Sequence, residues 1–171
     1  MGHYNKDIII DDGGKNPNTY YPVVFQLPHD SRTYNLRIFR LYHDKPDTDQ
    51  WFKSSKSHHA ALHLDLEAGS RQWGGIDGIL AIKRHVYQYE KTIQSVALSS
   101  PVGDKLIIYI RGGGGRFHLE GNLPSIMSPK VYTKKTQIYV CCSGRYKTIV
   151  DPKKNVKSFL KTVNPNKYRA L

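Results

Sequence analysis

Tyr109-Ile110-Arg111-Gly112-Gly113-Gly114-Gly115-Arg116-Phe117-His118-Leu119 is the stretch on which the fold turns. An apolar strand, Lys105 to Ile110, runs into four glycines bracketed by arginines, and an alternating strand follows. Glycine serves where the backbone needs positive φ or must come close to another group. Four in a row between two strands therefore mark a sharp crossing free of side chains.

Working outward, the same strand signature recurs along the chain. Ala60 to Glu67 alternates cleanly, with Leu62, Leu64 and Leu66 on one face and His63, Asp65 and Glu67 on the other. Tyr20 to Leu27 is rich in β-formers and stops at Pro28-His29-Asp30-Ser31. Tyr34 to Tyr42 places Leu36 and Ile38 on one face and Arg37, Phe39 and Leu41 on the other, half apolar on both sides, as between packed layers. Gly78 to Lys83, Val86 to Tyr89, Ile93 to Leu98, Arg116 to Glu120, Lys130 to Tyr132, Gln137 to Cys142 and Tyr146 to Val150 also read as strands. Short strands divided by Gly, Pro, Asp or Ser predict an all-β fold, an antiparallel β-sandwich. Residues 1–19 read as a turn-rich lead-in or linker with one candidate strand, Ile8 to Ile10, and residues 20–171 as the single sandwich domain. Near the end, Asp151-Pro152 offers an N-cap and a first-turn proline. Val156, Phe159, Leu160 and Val163 follow at helical spacing, so a short C-terminal helix is predicted, ending at Asn164-Pro165.

Composition sets the class of partner. A 171-residue chain that is 39% hydrophobic has enough apolar content for one core. Its purely apolar runs are a few residues long, far below the ~20 needed to cross a bilayer, and no charged-then-apolar leader opens it; the expectation is a soluble chain. Twenty-six Lys and Arg against 14 Asp and Glu give +12 and a pI near 9.7. Such a balance favours nucleic acid, phosphorylated glycolipid or acidic polysaccharide. Cys141 and Cys142 are adjacent in a predicted strand, so their side chains point to opposite faces; a mutual disulfide is not expected, and a reducing site of synthesis is.

Several constellations invite chemistry. His59, His63, Asp65 and Glu67, with His58 beside them, present imidazole and carboxylate along one strand, a donor set suited to a divalent metal. Same-face neighbours on a strand stand about 7 Å apart, too far to share one coordination sphere unaided, so no metal is expected unless a trimer axis gathers three copies. Asp65 and Glu67 also match the ~5 to 9 Å separation of glycosidase carboxyls, but with so many cations nearby charge pairing is the favoured explanation. The glycines at 112–115 are not followed by Gly-Lys-Ser/Thr or a helix, which excludes a phosphate-binding loop. No nucleophile elbow occurs. Neither a catalytic residue nor a cofactor is expected. Aromatic and cationic residues interleave at Arg40-Leu41-Tyr42-His43, Gln50-Trp51-Phe52-Lys53, Arg71-Gln72-Trp73 and Lys83-Arg84-His85-Val86-Tyr87-Gln88-Tyr89. An aromatic face stacks on a sugar or base while the cations meet phosphate or carboxylate. Half of these aromatics, Trp73 among them, are expected in packing instead.

Taken in order, Tyr20-Tyr21-Pro22-Val23, Asn35-Leu36-Arg37-Ile38-Phe39-Arg40, Trp51, His58-His59-Ala60-Ala61-Leu62-His63-Leu64, Glu67-Ala68-Gly69, Trp73-Gly74-Gly75 and Ile107-Ile108-Tyr109-Ile110-Arg111-Gly112-Gly113-Gly114 resemble the receptor-binding end domain of bacteriophage tail fibres. The resemblance spans roughly Tyr20 to Leu119. It implies a virion structural protein for host adhesion: a β-sandwich head at the fibre tip, beyond an upstream shaft, homotrimeric, without catalysis, made in the host cytoplasm, and binding lipopolysaccharide or an outer-membrane protein. It supplies no binding motif position by position. Chemistry alone selects Tyr42, His43, Trp51, Lys53, Arg84, His85, Arg111 and Arg116 as receptor or glycan contacts. The alternatives are a nucleic-acid-binding β domain and, third, a glycan-cleaving enzyme using Asp65 and Glu67.

Overall fold

The computed structural model describes residues 4–9, 16, 18–30, 32–41, 61–70, 78–88, 91–99, 103–113, 116–123, 129–140 and 146–154. Among them the chain is all β and no helix occurs. The strands are β1 (Tyr4–Ile9), β2 (Thr19–Gln26), β3 (Tyr34–Arg40), β4 (Ala61–Gly69), β5 (Ile79–Gln88), β6 (Ile93–Leu98), β7 (Lys105–Arg111), β8 (Arg116–Gly121), β9 (Lys130–Val131), β10 (Thr136–Val140), β11 (Tyr146–Val150) and β12 (Lys153–Lys154). Sheet A has the order β1-β8-β3-β4-β5; sheet B has the order β12-β2-β7-β6, with β9 also on β2; β10 and β11 form a separate hairpin. Every pairing is antiparallel.

The two sheets share one core, as the sequence predicts for a sandwich. Leu36, Ile38, Leu62, Leu64, Leu66, Phe117 and Leu119 of sheet A pack in the same buried cluster as Val23, Phe25, Ile93, Leu106, Ile108 and Ile110 of sheet B. β3 and β4 alternate buried with half-buried or exposed residues, because only one of their faces has a partner layer. The expectation that Tyr34 to Tyr42 lies between layers is therefore corrected: Arg37 is exposed and Phe39 half-buried on an outward face. The strands covered on both sides are β2 and β7, which are buried along almost their whole length. Their second faces meet the hairpin. Tyr20, Val24, Ile107 and Tyr109 form a second cluster with Ile138 of β10 and Val150 of β11, with Tyr132 against it. The hairpin is thus a third layer on sheet B.

The glycine crossing joins the sheets, from β7 in B to β8 in A. Gly113 has φ +78°, which a side chain disfavours. A Cβ on Gly112 would sit 2.5 Å from the Tyr21 ring and 2.7 Å from the Asn16 carbonyl oxygen. The Gly112 N–H donates to the Thr19 carbonyl at 2.9 Å, so the backbone is held there while Tyr21 closes over it. Gly112→Ala should lower stability by about 2 kcal/mol through this collision, read as a shift of the urea midpoint at unchanged slope.

Pro22 sits within the central strand β2, where a missing N–H is normally costly. Beyond β2, one edge is divided between β12 at Thr19 and Tyr20 and β9 at Val23 and Val24. The Pro22 carbonyl accepts from Tyr132 N–H at 3.1 Å on this divided side. In a strand a residue's N–H and C=O point the same way, so the absent donor also falls there and the β7 ladder is spared.

Three boundaries differ from the sequence reading. In place of the two expected strands Gly78 to Lys83 and Val86 to Tyr89 there is one, β5 (Ile79–Gln88), whose register shifts opposite Asp65/Leu66: Asp65 pairs Arg84 while Leu66 pairs Ile82. Lys83 is the extra residue of a β-bulge, and the reset of alternation imitates a break. The first strand begins at Tyr4 and runs to Ile9 against β8, rather than covering only Ile8 to Ile10. The expected helix does not start at Pro152, because Lys153 and Lys154 pair with β2 instead. The open edge of β2 accepts these backbone groups, and the Lys153 ammonium lies 4.2 Å from the Tyr109 ring centroid. Residues 155–171, which include the rest of that expected helix, lie outside the described residues, as do Cys141, Cys142 and Trp73.

Candidate functional site

The outward face of sheet A carries rows of side chains set by register. Glu120, Arg37, Asp65 and Arg84 stand opposite one another across β8, β3, β4 and β5. Their charges alternate, the favourable order for cross-strand neighbours. Arg37 Nη1 donates to Glu120 Oε1 at 2.8 Å and Arg37 Nε to Asp65 Oδ1 at 2.9 Å. Asp65 Oδ2 also meets His63 Nε2 at 3.1 Å. In the next row His118, Phe39, His63 and Val86 align, with Phe39 and His118 stacked at 5.2 Å. Between these rows and the sheet end lies a groove of about 540 Å³, bordered by Arg37, Phe39, Leu41, His63, Arg84 and Val86. Leu41 is 46% and Val86 41% exposed, so the groove has an apolar wall open to solvent.

The bulge in β5 shapes this surface. A regular strand would turn Lys83 and Arg84 to opposite faces, whereas here both are exposed. Lys83 is engaged, donating to Glu67 Oε2 at 2.7 Å and to Asn35 Oδ1 at 3.1 Å. Arg84 engages no carboxylate through an ion pair among the described residues, and it lines the groove. Its guanidinium is the cation there best placed to take an external anion.

The carboxylates of β4 are charge-paired. Lys83, and then Thr33 Oγ1 at 2.5 Å, hold the Glu67 carboxyl below its ordinary range. A general acid requires the opposite shift, so Glu67 is poorly suited to protonate a leaving group. No three His, Cys, Asp or Glu gather in a metal-holding arrangement among the described residues; His58 and His59 lie outside them.

The residues selected from sequence do not form one cluster. Arg84 is in the groove. His85 points the other way, opposite Leu64, and is 4% exposed, so it offers a receptor no surface. Burial, and then the Lys91 charge, lower its pKa to about 4, leaving a neutral imidazole in the core at neutral pH. Arg111 ends β7 on the outward face of sheet B, opposite Tyr20, and so belongs to a different surface from Arg84. Arg116 opens β8 opposite Ile9, and its side chain lies outside the description. Tyr42, His43, Trp51 and Lys53 also lie outside the described residues.

Sequence reading missed Arg37, Phe39 and His63 as a joint surface. The signal was available in the alternation of β3 and β4, but only register places the three together. No protein-family model, curated protein or solved structure matches this chain. Function must be argued from the surfaces themselves.

The second surface is the hairpin layer. In sequence, residues 121–171 hold eleven of the 26 Lys and Arg but only one of the 14 Asp and Glu, Asp151, a net +10 of the total +12, and six of those cations are among the described residues. Cations in this layer stand over tyrosines: Lys130 over Tyr132 at 5.1 Å, and Lys147 over Tyr139 at 5.4 Å. Tyr139 is 60% and Ile149 57% exposed on its outward face.

Proposed function

We propose that the chain is the receptor-binding head of a bacteriophage tail fibre, adsorbing to lipopolysaccharide, another acidic glycan or an outer-membrane protein at the surface of a Gram-negative cell. The observation that carries this is the groove on sheet A, where Arg84, without a carboxylate ion pair among the described residues, faces an apolar wall of Phe39, Leu41 and Val86. A guanidinium beside apolar and aromatic surface is the chemistry that holds a phosphate or carboxylate attached to a sugar ring. A stiff antiparallel sandwich is also a fitting scaffold for such a tip, with loops gathered at its ends. Under this reading three heads assemble at the end of a fibre shaft in the virion, and weak single sites gain strength by facing the same cell together. The function is adhesion and includes no catalytic step.

Adsorption of the fluorescently labelled protein to Gram-negative cells tests it directly. Arg84→Ala should reduce retention on cells about tenfold, since one charged hydrogen-bonding partner is lost, with the melting temperature unchanged because Arg84 is exposed. Equal retention by the variant removes the groove from the adhesive surface. Light scattering coupled to size exclusion should give the mass of three chains; a monomer speaks against the fibre assembly.

The concentration of charge in residues 121–171 favours a second reading, a nucleic-acid-binding β domain. It requires co-purifying nucleic acid, seen in the 260/280 nm absorbance ratio, and a binding constant that falls steeply with salt.

A further inference from the structure

A separate groove of about 390 Å³ lies on the outward side of sheet B, between β9 and β10, and we infer that it is a binding site for an acidic saccharide unit. Its walls combine two lysines, Lys105 and Lys130, with Gln26, Tyr132, Gln137 and Tyr139, and among the described residues no carboxylate lines it. Lys105 is held in place: its ammonium donates to Gln26 Oε1, while Gln26 Nε2 donates to the Leu27 carbonyl at 2.9 Å and the Asp104 carbonyl at 3.3 Å. The Gln26 amide is thereby tied to the β6–β7 turn, where it also meets the Asp104 carboxylate at 3.4 Å, and it orients the Lys105 ammonium. Lys130 is braced over Tyr132 across the groove's other border.

The remaining groups match sugar hydroxyls. Amides of glutamine and phenols of tyrosine both donate and accept, as a polyhydroxylated ligand requires. Tyr139, 60% exposed at the rim, has Lys147 over one side of its ring and leaves the other for a pyranose. The volume falls within the range of small-ligand sites, roughly 300–1,000 Å³, whereas a polynucleotide needs a basic track several nucleotides long. A groove of this size with two cations and, among the described residues, neutral hydrogen-bonding walls therefore favours a phosphate- or carboxylate-bearing saccharide over nucleic acid. The choice of a saccharide rests on the adsorption reading above; the anion site itself rests on the groove.

The test is a nuclear magnetic resonance titration of the isotope-labelled full chain with trigalacturonic acid at about physiological ionic strength. Maltotriose serves as the neutral control and a thymidine oligonucleotide as the nucleic-acid probe. Saturable shifts at the amides of Thr136, Gln137 and Ile138 are expected with the acidic trisaccharide and not with maltotriose. The Lys105→Gln/Lys130→Gln variant should weaken that binding at least about tenfold, and Lys130→Gln alone, at an exposed position, should already weaken it at an unchanged melting temperature. Silence with the acidic sugar, equal response to maltotriose, or tighter binding of the oligonucleotide at the same amides overturns the assignment. Cells that retain wild-type and double-variant protein equally, with a silent titration, would remove this site and leave the adsorption reading standing; acidic-sugar binding by a chain that ignores cells would do the reverse.

Discussion

Ile107→Ala and Ile108→Ala should each lower stability by about 3 kcal/mol, although the two residues are neighbours pointing to opposite faces of β7. In a two-layer sandwich one of such a pair faces water, and its truncation costs little. Here Ile108 is fully buried between sheets A and B, and Ile107 is 7% exposed in the cluster beneath the hairpin. Each truncation removes buried methyl groups and leaves a cavity that close-packed neighbours fill only in part. Ile149→Ala is the control, since Ile149 is 57% exposed on the outer side of the hairpin and should change stability by no more than about 0.5 kcal/mol. Urea unfolding of the three variants at neutral pH reads all of this. If Ile107→Ala behaves like Ile149→Ala, the hairpin does not cover sheet B in solution.

The third layer also explains which parts of the fold could be read from sequence. Clean alternation in Ala60 to Glu67 marks a strand with one wet face, and β4 runs from Ala61 through Gly69. The continuous apolar character of Tyr20 to Leu27 and Lys105 to Ile110 is the mark of strands covered on both faces. Covering layers are not local, however, and nothing within Tyr20 to Leu27 names the hairpin 110 residues onward as the cover. Register is equally remote: Arg37 lies between Asp65 and Glu120 because β3 lies between β4 and β8, an order set by packing rather than by neighbours in sequence. The bulge at Lys83 shows the same limit, since one extra residue resets a period of two and reads as a loop. Even so, the glycine crossing was legible, because positive φ at Gly113 and close approach at Gly112 are demands that only glycine meets cheaply.

Acidification should destabilise the protein through His85 before most carboxylates respond. In the folded chain burial holds the His85 pKa at about 4, against 6.5 for the free side chain. Above pH 6.5 the imidazole is neutral in both states and the stability is whole. Between pH 6.5 and 4 the unfolded chain takes up a proton that the folded chain refuses, so stability falls as pH falls. The loss is complete below pH 4 and amounts to about 3 kcal/mol, from the separation of the two pKa values at ~1.4 kcal/mol each unit. The geometry gives the reason: His85 opposes Leu64 on the core face, its ring lies 5.5 Å from Tyr87, and Lys91 stands over that same tyrosine. A proton placed there would meet low-dielectric surroundings and a second positive charge. Glu67, whose pKa is lowered, loses its own contribution only as pH falls through the carboxylate range, and its partial exposure keeps that term small. The two therefore separate in a series of urea midpoints from pH 7.5 to 3.5. His85→Leu should abolish the upper step while leaving the lower one, and a variant whose midpoints still fall between pH 6.5 and 4 as in the wild type would place the proton-sensitive group elsewhere.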